Sequence, residues 1–86
     1  MPEICRFLGI IISMYYREHG PPHFHAKYDD YRASFSILEL NVLEGDMPRR
    51  VVTLILEWAF KHREELLEDW NFAQEKQELK KITPLV

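Results

Sequence analysis

The sequence predicts a small α+β domain: a three- to four-stranded, mostly antiparallel sheet with one long C-terminal helix packed on one face. Three observations carry this. Up to about residue 43 the chain runs in short β-branched and aromatic stretches, punctuated by Gly, Pro and Asp. After Pro48 the apolar spacing changes from two to three and four, the helical period. Hydrophobic residues at 47% and aromatics at 13% of 86 residues suffice for one packed centre and exclude intrinsic disorder.

Each element follows from local chemistry. Ile4–Phe7 and Ile10–Tyr16 read as strand, with Gly9 as a bulge or bend between them. Gly20, Pro21 and Pro22 stop regular structure and make a turn. His23–Tyr28 is the next strand, Asp29–Asp30 a tight turn, and Tyr31–Ile37 a further strand. Leu38–Leu43 reads as a short fourth strand, closed by a Glu44-Gly45-Asp46 turn. Pro48 suits the first turn of a helix, where its missing N–H costs nothing. Val51, Ile55, Trp58, His62, Leu66, Trp70 and Ala73 then keep phase with no internal Gly or Pro. One helix over about 48–77 accounts for them, leaving residues 78–86 as a tail and the chain as a single domain. Such a helix is roughly 45 Å long, against about 20 Å for the strands. It therefore overhangs the sheet, and Leu66, Trp70 and Phe72 need cover from a homodimer mate, another partner or the folded-back tail.

Charge and cysteine content narrow the partners. With 11 basic and 14 acidic side chains the net charge is −3, so tight non-specific nucleic-acid binding is not the default, though a local basic patch is compatible with it. Cys5, a lone cysteine in an apolar strand, reads as a buried inert thiol and fits a reducing cytoplasm. No apolar run is long enough to cross a membrane. The expected location is cytoplasmic.

Strand alternation then separates two faces. Phe24, Ala26 and Tyr28 point to the core side, and His23, His25 and Lys27 to the other. Arg32, Ser34 and Ser36 join the second set from the next strand, with Tyr15 and Arg17 from the earlier one. One helix covers one face, so this polar face is open. Several chemistries compete for it. His23 and His25 lie about 6–7 Å apart on a strand and can act as base and acid on a phosphodiester. In that reading Arg32 and Lys27 hold phosphate and Tyr15 stacks a base, with no metal and no cofactor. Alternatively His23 and His25, with His19 or Glu18 from the turn and His62 from the helix, ligate zinc or another divalent ion. Arg49 and Arg50 stand at the positive helix end, where an anion would offset their cost. The remaining reading is structural, with histidines that only bond neighbouring groups.

The runs "PEICRFLGIIISMYYREHGPPHFHAKY" and "LEGDMPRRVVTLILEWAFKHREELLEDW" resemble a bacterial family of small proteins, domain-of-unknown-function family 4160. The most specific parts are Pro21-Pro22-His23-Phe24-His25-Ala26, Gly45 with Pro48-Arg49-Arg50, and the helix carrying Trp58, His62 and Trp70. The resemblance implies a gene beside that of a second small protein, hence a toxin–antitoxin-like pair. The expected function is a component of such a pair whose open face acts on or binds RNA, as a metal-independent ribonuclease-like phosphodiesterase if it is an enzyme. The competing expectation is a non-enzymatic protein that binds a small cognate partner through Leu66, Trp70 and Phe72.

Overall fold

A computed structural model describes residues 2–86. Five strands precede two helices: β1 Glu3–Phe7, β2 Ile10–Ser13, β3 His23–Tyr28, β4 Tyr31–Ser36, β5 Val42–Asp46, α1 Arg49–Lys61 and α2 Arg63–Gln74. The strands form one antiparallel meander in chain order. Leu8 and Gly9 both take positive φ, at 50° and 79°, and so form the two-residue turn between β1 and β2 rather than a bulge within a strand.

The sheet has five strands where the sequence predicts three to four. Residues 38–41 lie outside the strands, and the expected Glu44-Gly45-Asp46 turn is part of β5. Gly45 makes this possible. Its φ is +93°, and a Cβ there would collide with the Arg32 carbonyl oxygen. Only glycine lets β5 lie this close to β4. β2 in turn ends three residues early, at Ser13, so Tyr15 and Tyr16 belong to the connection.

The single long helix is corrected to two. A rod of roughly 45 Å exceeds every dimension of the molecule, which measures 33 × 25 × 22 Å. The break is at His62, with φ −120° and ψ 24°. Lys61 closes α1, and Glu64 and Glu65 open α2, so each charge faces the helix end that favours it.

The core lies between α1 and one sheet face. Trp58 is fully buried, with its ring 5.7 Å from Phe7 and 5.8 Å from Phe24. Phe24 in turn stacks on Phe35 across β3 and β4 at 5.3 Å. The expected overhang is absent. Leu66 and Trp70 are buried by the chain itself, and Phe72 is partly buried, with the Lys80 ammonium 5.5 Å above its ring. Of the three sources of cover considered, the tail is the one that folds back. Ile82 is buried and donates its N–H to the Ile4 carbonyl at 2.8 Å, covering part of the outer edge of β1. The Thr83 carbonyl accepts from the Trp58 indole N–H at 2.8 Å, and Lys80 N–H bonds Asp69 at 2.9 Å. Among the described residues no helix is long and apolar enough to cross a membrane.

Candidate functional site

Alternation in β3 acts as the sequence predicts. Phe24 and Ala26 are buried in the core, while His25 and Lys27 face the uncovered side. That side holds a hollow of about 430 Å3 whose lining includes Tyr15, His25, Lys27, Arg32 and Glu44. Lys27 and Arg32 are direct cross-strand partners, and Arg32 also pairs in register with Asp46. Neither cation takes part in an ion pair among the described residues. Arg6, at the same hollow, already donates to the two Glu3 oxygens at 2.7 and 3.0 Å, and these guanidinium hydrogen bonds hold the Glu3 carboxyl below its usual range. The Tyr15 ring meets the His25 ring edge-on at 4.4 Å.

At the Tyr15–His25 end stands a tight cluster. One carboxylate oxygen, Glu18 Oε1, lies 2.7 Å from His25 Nε2 and 3.2 Å from His23 Nε2. The three atoms all fall within 4.8 Å of one another. Each residue is placed by a different device. β3 sets His23 and His25 two positions apart, on one side of the strand. The double proline orients His23: the Pro21 carbonyl accepts from its Nδ1–H at 2.8 Å, which turns Nε2 toward Glu18. Glu18 is held by α2, because Gln74 donates to its carbonyl at 3.1 Å and Arg17 N–H donates to the Ala73 carbonyl at 3.3 Å. Trp70 closes the cluster from behind, 5.1 Å from the His23 ring.

His23 is therefore the buried member, 9% exposed, and does not line the hollow; His25 does. Of the two turn residues expected to stand beside the histidine pair, His19 and Glu18, it is Glu18 that does so. His19 is exposed and outside the cluster. His62 is outside it too, bonded to Glu65 at 2.6 Å beside Trp58. Of the four histidines His19, His23, His25 and His62 expected to share one site, the structure thus brings together only His23 and His25, with Glu18 between them. Arg49 is exposed on the first turn of α1, and Arg50 lines a separate hollow with Leu8, Tyr28 and Leu54. Neither reaches the sheet-face hollow, nor does Arg17 line it. Trp70 and Gln74 were not expected near the histidines; their sequence positions carry no signal for that contact. Cys5 is buried, and desolvation raises its thiol, as an inert cysteine requires.

The arrangement combines a cation pair, an aromatic ring and an imidazole on one uncovered sheet face, with a two-histidine, one-carboxylate cluster at its edge. The sequence profile of a family described as Domain of unknown function (DUF4160) matches residues 9–71, a span that includes the whole cluster and both cations. No curated protein and no solved structure matches the chain.

Proposed function

Since this chain belongs to the family described as Domain of unknown function (DUF4160), we propose its function from the site itself: the uncovered sheet face binds or acts on RNA. One observation carries the reading. Lys27 and Arg32 face each other across β3 and β4 on the hollow, with no anionic partner in ion-pair contact among the described residues. Like charges directly opposite in a sheet repel. A phosphate between them relieves that repulsion. Tyr15 supports the same reading, because an aromatic ring beside cations on an open sheet suits a splayed base. His25 is the group that would meet a phosphodiester in the hollow, and Glu18, 2.7 Å from it and 3.2 Å from His23, would orient its ring.

The proposal keeps the wider setting implied by the family resemblance, in which the protein is one component of a toxin–antitoxin-like pair. The test is fluorescence anisotropy with a short single-stranded RNA. The Lys27→Ala/Arg32→Ala variant should bind at least ~10-fold more weakly, with a salt slope lower by about 1 for each contact removed. Arg49→Ala/Arg50→Ala should match wild type. Equal binding by the wild type and the hollow variant would sink the reading. Expression alone should slow growth, expression with the neighbouring small protein should restore it, and His25→Ala should abolish the effect.

A second reading, a non-enzymatic partner-binding protein, draws on β5. All five of its residues are exposed, Val42 and Leu43 among them, and its outer edge has no strand partner among the described residues. Such an edge accepts an added strand. Co-purification of the cognate protein with an RNA-inactive hollow variant would favour it.

A further inference from the structure

We infer that Glu18, His23 and His25 form a binding site for one divalent transition-metal ion of the zinc class. Their three donor atoms lie within 4.8 Å of one another. The Pro21 oxygen can only accept, so His23 Nδ1 carries a hydrogen. The other nitrogen, Nε2, lies 3.2 Å from a carboxylate oxygen. In the tautomer that Pro21 fixes, the Nε2 lone pair therefore faces that oxygen directly, acceptor against acceptor. His23 is 9% exposed and packed against Trp70, so its ring is held in this orientation. Glu18 Oε1 must also accept from His25 at 2.7 Å, so a single oxygen serves two imidazoles.

A cation removes the difficulty. It takes the Nε2 lone pair of a neutral His23, leaves Nδ1–H on Pro21, and gives Glu18 a full counter-charge. A backbone carbonyl on the far nitrogen is the support that metal-ligating histidines generally have. The spacing fits as well. Bonds of about 2.0–2.2 Å to nitrogen and oxygen put neighbouring ligand atoms of a tetrahedral site roughly 3.3–3.6 Å apart. The Glu18 contacts at 2.7 and 3.2 Å need only small side-chain rotations to reach that range. Two imidazoles and one carboxylate select a borderline first-row ion over magnesium or calcium, which prefer all-oxygen sites. The Glu18 and His25 side chains, 27% and 29% exposed, leave a path for the ion from solvent. Three protein ligands leave at least one position for water or substrate. Because His25 belongs to both cluster and hollow, an ion here would sit where a bound phosphodiester is reached. That use rests on the RNA reading; the binding of the ion does not.

The test uses the full chain stripped with a chelator and then titrated with Zn2+ alone by calorimetry and Co2+ alone by visible absorption. One ion should bind per chain, with a Kd of about 1 μM or tighter. Glu18→Gln and His25→Ala should each weaken binding at least ~10-fold, while His19→Ala and His62→Gln should stay within about twofold. Glu18→Gln preserves size and avoids the packed His23, and thermal unfolding of the metal-free variant verifies that it is folded. Absence of saturable one-to-one binding overturns the inference. So does wild-type affinity in a Glu18→Gln/His25→Ala double variant, or an equal loss in His62→Gln. RNA binding is measured separately on the stripped protein, so its failure leaves the metal result standing and the reverse also holds.

Discussion

Asp69 shows what one buried carboxylate does in a small core. It is 1% exposed, and one oxygen accepts the Lys80 N–H while the other has no hydrogen-bond partner. Burial pushes its carboxyl above the ordinary range, against the weaker downward pull of the Lys80 N–H. The folded state thus holds this proton more tightly than the unfolded chain. The stability it contributes is full below the ordinary aspartate pKa and is lost as pH rises through the folded value. Asp69→Asn keeps an oxygen for Lys80 and removes the titration. Its melting temperature relative to wild type should therefore move in its favour between about pH 4 and about pH 7. Parallel melting curves across that interval would clear Asp69 of the role. At the site, too, single residues decide matters that spacing leaves open. His23 and His25 were legible as a same-face pair, because strand alternation is strict. Whether Glu18 or His19 joined them was not, since the choice depends on a turn in which Arg17 takes φ +54°.

At the scale of elements, the sheet edge and the helix break have local causes that can be tested. Gly45→Ala forces a methyl group into the Arg32 backbone, so β5 should detach from β4. Because Glu44 and Gly45 line the hollow, the loss should appear as weaker RNA binding as well as lower stability, by about 1–3 kcal/mol for strain of this kind. Hydrogen exchange should show β5 amides exposed in the variant and β2 amides unchanged; uniform protection would contradict the account. Glu44-Gly45-Asp46 reads as turn chemistry in the sequence, but the positive φ that glycine allows serves a close strand approach here. The His62 break was hidden for a related reason. Val51 to Ala73 stays in phase through the kink, so periodicity sees one helix. The charges Lys61, Glu64 and Glu65 did carry the boundary.

At the scale of the molecule, the proposed metal site and the tail tie distant parts together. The cluster links the 14–22 connection, β3 and, through Gln74, α2. Zn2+ at a hundred times its Kd should stabilise the chain by about 2.7 kcal/mol and leave Glu18→Gln nearly unmoved. The α+β class and the His25–Lys27–Arg32 part of the open face were legible because they follow from alternation and period alone; His23, Ser34 and Ser36, assigned to the same face, are buried. The compact packing of α2 was not, since it depends on Arg17, Gln74 and Trp70 meeting residues about fifty positions away. The tail has a further consequence, for the order in which the chain assembles. Every strand pairs with its neighbour in sequence, so the sheet closes by short loops. The Ile4–Ile82 bond joins residues near opposite ends of the chain and closes a far longer loop than any strand pairing does. Its gain comes after the barrier. Ile82→Ala, costing about 2 kcal/mol or more, should raise the unfolding rate about thirtyfold and barely alter the folding rate. A slowed folding limb in stopped-flow Trp fluorescence would instead place the tail in the nucleus. What holds Trp58 in place therefore acts as a brake on opening, and this protein's lifetime in the folded state is set by its last few residues.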